Sequence, residues 1–551
     1  MAVDPPFDRH MMLERLAGER FDVLVVGGGI TGVGVALDAV SRGLSAALVE
    51  ADDFASGTSS RSSKLVHGGL RYLQQGDVRL VYEALRERQR LRRNAPHLVS
   101  LLPFMIPILT KDGLIPRRVA RALGSAMWMY DLTGGFRIGR LHKRLKADAA
   151  FVHLPTMPRE RLAGGYLYFD ATTDDARLVL TVARTAAARG AVLANRARVV
   201  AFIKDSAGLV MGAAVEADGR RIDVAAKVVV NAAGVWADEL RTLEDGQEAN
   251  SIRPAKGIHI TVPWEKVRND IAVVIPVRGD KRSLFVVPWG ERSDGTFEHT
   301  YVGTTDTDYA GPLEDPPCTA DDIAYVLAAL NQAVTTGITT EDVTGVWAGL
   351  RPLVKSATSG RTADLSRRHR VTTGSAGVIA ITGGKLTTYR EMAQDTVDAV
   401  LRRLQRRARG RTARLKLLGA EGFKASTGER SEAHLANRYG SLARNVTALI
   451  DADPSLGGPL VPGLDYVRAE AVYAARHEMV CTLEDVLVRR TRAHLFNRAA
   501  TLEAAPAVAE LLAAELGWDA AETSRQVAAY CELVETEEKA AATSATSNVS
   551  A

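Results

Sequence analysis

Short apolar runs alternate with helix-like patterns from residue 21 to about residue 401. Strands of the buried type are predicted at 21–26, 45–49, 191–194, 227–231 and 378–382. Strands of a mostly antiparallel sheet are predicted at 258–262, 283–288 and 301–305. Helices are predicted at 8–18, 77–93, 178–189 and 389–401. The pattern therefore indicates an α/β region that carries a second, antiparallel sheet.

The pattern changes after residue 401. Residues 401–416, LRRLQRRARGRTARLK, hold eight basic residues and no acid. They predict a solvated linker helix, although such a run could also lie on lipid headgroups or nucleic acid. We therefore expect a basic linker at 402–424 and an all-helical domain at 425–538. The small polar residues 539–551 predict a disordered tail.

The first strand runs directly into the glycine motif Gly27-x-Gly29-x-x-Gly32, with a further glycine at Gly34. Gly27 allows a tight turn, Gly29 lets the backbone approach a pyrophosphate, and the later glycines let the helix lie close to the strand. The second strand ends in Glu50, at the spacing of an acceptor for ribose hydroxyl groups. The motif predicts a dinucleotide site without a 2′-phosphate; a plain glycine-rich turn in a βαβ unit is the alternative.

Composition narrows the class of protein. The chain has 551 residues, 46% of them hydrophobic, and a net charge of +5, which by itself says little about partners. The three cysteines, Cys318, Cys481 and Cys531, form no CxxC pair, so we expect a reducing cytoplasm and no cysteine-ligated metal. No secretory signal and no apolar run of about 20 residues is visible, so any membrane contact should be peripheral.

Three strand-to-glycine turns, at Gly27, Gly234 and Gly383, point to one nucleotide. A simple nicotinamide enzyme uses the first turn and then a separate catalytic domain, whereas a two-lobed flavin enzyme returns distant strands to the same FAD. The third turn, GGKLTTYREM, places a helix N-terminus behind two glycines. Such an N-terminus suits the pyrimidine end of a flavin, where negative charge develops on reduction.

Several longer motifs carry a resemblance to a known family: SGTSSRSSKLVHGGLRYL, VVVNAAGVWAD, KGIHITVP, VGTTDTDY, GLRPL and ITGGKLTTYR. The C-terminal YAARHEMVCTLEDVLVRRTR matches as well. From about residue 21 to 535 the chain resembles the flavin-dependent glycerol-3-phosphate dehydrogenases of the D-amino-acid-oxidase-like superfamily. The resemblance implies an α/β (α+β) fold: a two-lobed, Rossmann-like FAD-binding domain interleaved with an antiparallel-sheet substrate domain over 21–401, followed by the all-helical domain.

The resemblance and the motifs together predict the cofactor contacts. The hydroxyl-rich loop after Glu50 suits pyrophosphate and ribitol, and the third turn should line the flavin ring. His67 either hydrogen-bonds the ring or packs against it. The predicted FAD-binding residues are Gly27, Gly29, Ile30, Thr31, Gly32, Glu50, Ser59, Ser60, Ser62, Ser63, Lys64, His67, Gly68, Val199, Gly234, Lys385, Leu386 and Thr387.

The implied substrate is glycerol 3-phosphate, whose phosphate dianion needs cations. Within the matching motifs the candidate cations are Arg71, Arg351, Arg367 and Lys385, with surface ion pairs as the alternative for each arginine. Tyr72 can add a hydroxyl donor. The alignment with the family's motif is least certain at Arg367, because other arginines stand beside it in the sequence.

The implied reaction is hydride transfer from the secondary carbon to the flavin. His259 is the candidate base that accepts the hydroxyl proton, and a structural histidine on a strand is the alternative. Arg351 could instead stabilise the developing alkoxide, because a guanidinium is a poor base.

Reduced flavin must pass its electrons on. A membrane quinone (ubiquinone or menaquinone) is the predicted acceptor, because the oxygen-using oxidases of the family carry an insertion that we do not see here. We therefore expect attachment to an anionic membrane surface at the inner face of the cell membrane, a homodimer, and no nucleic-acid partner. Two stretches could touch lipid: the apolar-basic segment 97–147 and the basic run. The alternative for segment 97–147 is a substrate-domain helix with a solvated basic face.

Other functions remain open at this point. An oxidase that makes hydrogen peroxide would share the substrate. A flavin-binding module without catalysis is disfavoured by the intact cations and His259, and a simple nicotinamide dehydrogenase by the second and third glycine turns.

Overall fold

The computed structural model describes residues 7–69, 78–111, 127–128, 130–131, 140–277, 282–292, 294–355, 368–425 and 430–543. Arg71, Tyr72 and Arg367 lie outside these ranges. So does most of the second half of the apolar-basic segment at 97–147.

The first sheet has its strands in the order β17-β18-β10-β1-β2-β7, with β9 pairing β10 and β8 pairing β9. Strand β1 runs parallel to β10 and β2, and β10 runs parallel to β18. The apolar run predicted at 21–26 is buried on both faces, as a central parallel strand requires. The strands are β1 (Arg20–Val26), β2 (Ala46–Val49), β7 (Val192–Ala194), β8 (Arg198–Lys204), β9 (Val210–Ala217), β10 (Arg220–Asn231), β17 (Arg370–Thr373) and β18 (Ile379–Thr382).

Helices cover this sheet and share its main apolar core. One of them, α2, is buried almost all round, because it packs against both α5 and α8. The helices up to residue 403 are α1 (Arg9–Gly18), α2 (Ile30–Ser41), α3 (Val78–Asn94), α4 (Ala147–Phe151), α5 (Asp175–Ala187), α6 (Ala237–Asp245), α7 (Ala320–Ala333) and α8 (Tyr389–Arg403). Of these, α4 and α7 pack on the second sheet.

The second sheet has the order β15-β11-β14-β13-β12-β4-β6-β3, with β16 pairing β11 and β5 pairing β6. Its strand pairs are antiparallel apart from β12 with β4. The strands are β3 (Leu65–Val66), β4 (Ser100–Leu109), β5 (Lys143–Leu145), β6 (Leu162–Thr172), β11 (Ile252–Pro263), β12 (Ala272–Pro276), β13 (Ser283–Glu291), β14 (Phe297–Gly303), β15 (Thr307–Asp308) and β16 (Gly345–Val354).

Strand β4 corrects one prediction. The apolar half of the proposed membrane segment, 97–109, is neither an interfacial anchor nor a helix: β4 lies inside the sheet between β12 and β6. Phe104, Met105 and Ile106 are buried. Its apolar side chains therefore stabilise the core around the second sheet.

The basic run also differs from its prediction. Helix α8 ends at Arg403, and the chain then continues without regular helix apart from a 3₁₀ turn at Thr412–Arg414. This stretch packs on the first lobe: Arg406 pairs with Asp22 at 2.9 Å, and Thr412 Oγ1 donates to Asp38 Oδ1 at 2.8 Å. The eight basic residues are all exposed, in agreement with the predicted solvation, whereas the helix predicted for this run is wrong beyond Arg403.

The remaining chain is helical, as predicted. It comprises α9 (Arg430–Tyr439), α10 (Ala443–Ala452), α11 (Arg468–His477), a π-helical segment (Asp485–Arg490), α12 (Ala493–Phe496), α13 (Arg498–Leu516) and α14 (Ala520–Ala542). Helix α14 extends past residue 539, so the expected tail is helical over its first four residues; 544–551 lie outside the described residues. Of the helices that the structure describes, none is long and apolar enough to cross a bilayer.

Candidate active site

A cavity of about 780 Å³ lies where the glycine turns of the first sheet face the second sheet. A volume of this size is typical of a cofactor or small-molecule site. The predicted residues that line it are Gly27, Gly29, Ile30, Thr31, Glu50, Ser59, Ser62, Ser63, His67, Val199, Gly234, His259, Arg351, Lys385, Leu386 and Thr387. The cavity wall, as far as the structure describes it, does not include Gly32, Ser60, Lys64 or Gly68.

The first glycine turn has the geometry that the motif predicted. Gly27 has φ +114°, and a Cβ on Gly32 would lie 1.8 Å from the Gly27 carbonyl oxygen. Gly34 has a different role from the predicted one, because its missing Cβ makes room for Tyr389 of α8 rather than for a strand. The glycines therefore shape the turn and pack two helices together.

Glu50 closes this turn from the end of β2. Its Oε2 accepts the Gly28 N–H at 2.5 Å, and its Oε1 accepts the Asp52 N–H at 2.8 Å. Burial raises the pKa of Glu50 to about 7, against these two hydrogen bonds, which lower it. The carboxylate thus stands at the cavity wall in a position suited to ribose hydroxyls, near Val199.

The hydroxyl-rich loop divides between two roles. Ser59 Oγ accepts the Ile30 N–H at 2.9 Å, so a hydroxyl lies at the N-terminus of α2, where the helix dipole attracts a pyrophosphate. Ser62 and Ser63 also line the cavity. Lys64 instead turns into the protein, where its Nζ is fully buried 3.0 Å from Asp175 Oδ1 and 3.1 Å from the Ser60 carbonyl.

His67 joins the loop to the third glycine turn. Its backbone N–H donates to Thr387 Oγ1 at 3.2 Å, although the two residues are 320 positions apart in the sequence. The ring packs edge-on against Phe285, with centroids 6.1 Å apart. The next residue, Gly68, donates its N–H to the buried carboxylate of Asp170 at 3.1 Å. Residues 67 and 68 are therefore hydrogen-bonded to the third glycine turn on one side and to Asp170 on the other.

The third turn uses two glycines with positive φ, Gly383 at +74° and Gly384 at +83°. A short 3₁₀ turn, Leu386–Thr388, follows and leads directly into α8. Lys385 and Leu386 both line the cavity, so this turn forms one part of its wall.

His259, on β11, is buried and reaches the same cavity. Its Nε2 lies 2.9 Å from Ser63 Oγ, and its ring stacks on Trp347 of β16. Burial lowers the pKa of His259 well below its usual range, with Lys64 and Arg351 adding to the effect. The imidazole is therefore neutral at physiological pH.

Arg351, on β16, places its guanidinium in the cavity wall beside β11. Its Nη1 donates to Asp306 Oδ1 at 3.1 Å, and its Nη2 donates to Thr304 Oγ1 and the Thr305 carbonyl, both at 3.1 Å. A Cβ on Gly257 would come within 2.5 Å of Nη2, so that glycine is needed for the guanidinium to lie here. The cation is thus held in one orientation.

Several wall residues were missed by the sequence analysis. Thr304 lies in a motif that carried the family resemblance, so a signal for it existed. Arg61 and Asp315 form an ion pair at the cavity wall, and Glu484 reaches it from the helical domain. Arg61 and Glu484 also lie in motifs that carried the resemblance, SGTSSRSSKLVHGGLRYL and YAARHEMVCTLEDVLVRRTR, whereas Asp315 lies outside all of them.

Comparison with known protein families decides what the cavity holds. The model for FAD dependent oxidoreductases matches residues 22–390, which is more than half of the chain. The chain belongs to the FAD-dependent oxidoreductase family. The model for the C-terminal domain of alpha-glycerophosphate oxidase matches residues 410–523, and therefore begins inside the expected linker.

Relatives and a solved structure agree with this family. "Glycerol-3-phosphate dehydrogenase 2" of Mycobacterium tuberculosis is 41% identical over 547 residues, covering 97% of this chain and 91% of the relative. The mitochondrial glycerol-3-phosphate dehydrogenase SDP6 of Arabidopsis thaliana is 36% identical, covering 95% and 87%. The glycerol-3-phosphate dehydrogenase from Bacillus halodurans, solved with FAD, shares 32% identity with a TM-score of 0.77, covering 97% of each chain.

FAD is the cofactor of this family, and the residues present fit it. Gly29, Ile30 and Thr31 bring the N-terminus of α2 to the cavity wall, where a pyrophosphate fits beside the Ser59 hydroxyl. Glu50 offers a carboxylate for the ribose, and the third turn forms another part of the wall. Among the described residues no group of three or more His, Cys, Asp or Glu side chains could hold a metal ion.

Proposed function

We propose that this protein oxidises sn-glycerol 3-phosphate to dihydroxyacetone phosphate and passes the electrons to a membrane quinone. The observation that carries the proposal is the presence of His259 and Arg351 in the same cavity wall as the FAD turns. The names of the relatives, glycerol-3-phosphate dehydrogenases with 36–41% identity over nearly the whole chain, support the substrate.

The phosphate needs fixed cations. Arg351 offers a planar fork oriented by Asp306, and Lys385 adds a point charge at the third turn. Arg71, Tyr72 and Arg367, which lie outside the described residues, complete the proposed substrate set. Arg351 stands opposite Ala255 of β11, four positions from His259, and its charge helps to lower the pKa of His259. We therefore also assign it the stabilisation of an alkoxide oxygen beside this base.

The proton of the secondary hydroxyl goes to His259 in this proposal. A neutral imidazole can accept a proton, and because its pKa is low the ring is unprotonated over the whole physiological range. A phosphate dianion bound nearby would raise that pKa and strengthen the base. FAD, when bound, would supply the acceptor for the hydride, which carries both electrons of the oxidation.

The electron acceptor is a separate part of the proposal. Because a quinone lies in the bilayer, we infer peripheral attachment to an anionic membrane surface at the cytoplasmic face. We also propose that the protein is a homodimer. An oxidase that makes hydrogen peroxide is the second candidate, because the matching C-terminal model is named after alpha-glycerophosphate oxidase. Oxygen uptake with glycerol 3-phosphate, with and without an added quinone, separates the two; rapid uptake without quinone would favour the oxidase.

The decisive experiment is an anaerobic visible spectrum of the purified protein before and after addition of glycerol 3-phosphate. Bleaching of the flavin band is expected with glycerol 3-phosphate and not with glycerol, because only the former carries the phosphate. A flavin band that both compounds leave unchanged would reject the proposed substrate.

A further inference from the structure

One arginine-rich segment of the helical domain has no part in the chemistry above. It comprises residues 485–492, DVLVRRTR, and we call it the arginine segment. Arg489, Arg490 and Arg492 are all buried, although arginine is seldom buried without a specific partner. Some of their partners belong to the helical domain itself, namely Glu484, Asp485, Val488 and the Glu478 carbonyl. Others lie across the domain interface, at Asp53 and Ser60 of residues 51–63, which we call the cofactor loop, and at Asp175.

The first contact is at the start of the cofactor loop. Asp53 is fully buried, and its carboxylate accepts three hydrogen bonds: from Arg489 Nε at 2.8 Å, from Arg490 Nη1 at 2.6 Å and from Arg490 Nη2 at 2.8 Å. Asn195 adds a further hydrogen bond at 3.0 Å. Asp53 follows Glu50 by three positions, so two guanidinium groups anchor the chain just after the proposed ribose carboxylate.

The second contact is at the end of the loop. Arg492 Nη2 donates to the Ser60 carbonyl, and lies 3.2 Å from Asp175 Oδ1. The other oxygen of Asp175 accepts the Ser62 N–H at 3.0 Å and the Ser62 hydroxyl at 2.7 Å. Lys64 Nζ shares both partners of Arg492, at 3.1 Å from the Ser60 carbonyl and 3.0 Å from Asp175 Oδ1. Arg492 and Lys64 together thus hold the backbone of the loop, while Ser62 and Ser63 line the cavity.

The helical domain also reaches the cavity itself. Glu484, next to the arginine segment, lines it alongside Asp52 and Arg196. Arg196 is paired in turn with Asp485 of the segment, at 3.1 Å. The wall around the cofactor is therefore continuous across the two domains.

We propose that the arginine segment is a positioning element of the FAD site, which sets the conformation of the cofactor loop and so the affinity for FAD. Buried ion pairs add little net stability compared with apolar packing, but each fixes a geometry. Here the ion pairs fix the conformation of the cofactor loop, whose hydroxyl groups line the FAD cavity. Cofactor retention should therefore depend on a domain that contributes hardly any of the cavity wall.

The test compares Arg492→Lys with Arg184→Lys in the FAD-loaded protein. Arg184 is a matched control: it is also buried at the interface of the two domains, where it contacts Glu478 at 3.2 Å and the Tyr473 hydroxyl at 2.9 Å, with no contact to the cofactor loop among its described hydrogen bonds. Lysine keeps the charge in both variants, so folding is preserved better than by removal of the charge.

Two readouts are needed. The rate of FAD release after dilution, followed by flavin fluorescence, should rise about tenfold in Arg492→Lys, since one charge-assisted hydrogen bond that orders the loop is lost. Hydrogen exchange should increase over residues 51–63 in the same variant. Arg184→Lys should change neither, even where it lowers the melting temperature equally.

The proposal is overturned if the two variants release FAD at the same rate, or if exchange over 51–63 is unchanged in Arg492→Lys. Neither readout uses glycerol 3-phosphate, so this result is independent of the proposed substrate. Arg492→Gln is a third variant; if it fails to fold, the lysine pair still decides.

Discussion

The imidazole of His259 lies flat on the indole of Trp347, with ring centroids 4.7 Å apart and an interplanar angle of 7°. The two residues face each other on neighbouring strands, in register. With Ser63 Oγ on its Nε2, the ring is held on one face and one edge. A proton acceptor must be oriented in this way before it can contribute to catalysis.

The first prediction separates the two interpretations of His259. Glutamine at this position retains a polar group able to contact Ser63 but cannot act as a base. If His259 accepts the hydroxyl proton, His259→Gln should lower kcat/KM for glycerol 3-phosphate by roughly 10²- to 10⁴-fold while flavin stays bound. A change of less than about tenfold would assign the histidine a structural role. Steady-state kinetics and the flavin absorbance measure both quantities.

The second prediction concerns Arg351. Lysine keeps the charge but loses the planar fork that contacts Asp306 and Thr304. Arg351→Lys should reduce kcat/KM by roughly 10- to 100-fold, equivalent to about 1.5–3 kcal/mol, with FAD content unchanged.

Arg282→Lys is the control for Arg351. Arg282 Nη1 donates to the backbone carbonyl oxygen of Asp306 at 2.8 Å, but Arg282 is outside the described cavity wall. Equal losses in the two variants would mean that Asp306, and not the guanidinium in the cavity, matters for the substrate.

The third prediction concerns Glu50, both of whose oxygens accept backbone N–H groups. Glutamine has one acceptor oxygen, so Glu50→Gln sets its NH₂ group against a backbone donor. FAD release, measured by flavin fluorescence, should be accelerated roughly 10- to 100-fold, because a charged acceptor is lost and a donor is unsatisfied.

Glu244→Gln is the matched variant for Glu50. Glu244 is buried and accepts the N–H groups of Ala376 and Val378, both at 3.2 Å, through a single oxygen that glutamine retains. FAD release should be unchanged there. Faster release in Glu244→Gln would show that release reports general stability and not the ribose contact.

The fourth prediction follows from the pKa of Glu50, which burial raises to about 7. Below that pH the carboxyl is protonated in the cofactor-free protein, and above it the carboxylate is the stronger acceptor for a ribose hydroxyl. FAD retention should therefore increase as pH rises from 6 to 8. The pH dependence should disappear in Glu50→Gln; a dependence that survives in this variant would place the titrating group elsewhere.

Local patterns predicted the strands and helices well. The buried strands of the first sheet, the helices beside them and the glycine turn all have short-range causes, since burial on both faces produces continuous apolar runs and a turn needs residues that tolerate positive φ. The same reasoning failed for 97–109, and for the helix predicted beyond Arg403. An apolar run with basic neighbours is equally compatible with a membrane surface and an internal strand, and a basic run is compatible with solvent or with acidic partners such as Asp22.

The sequence by itself determined the glycine turn, the spacing to Glu50 and the family, because these depend on residues that are close along the chain or on motifs long enough to be specific. Only the tertiary structure decided that His259 stacks on Trp347, that Lys64 turns away from the cavity toward Asp175, and that the helical domain holds the cofactor loop. Those partners lie far apart in sequence. Their contacts are set by how distant strands and helices pack, which no local pattern records.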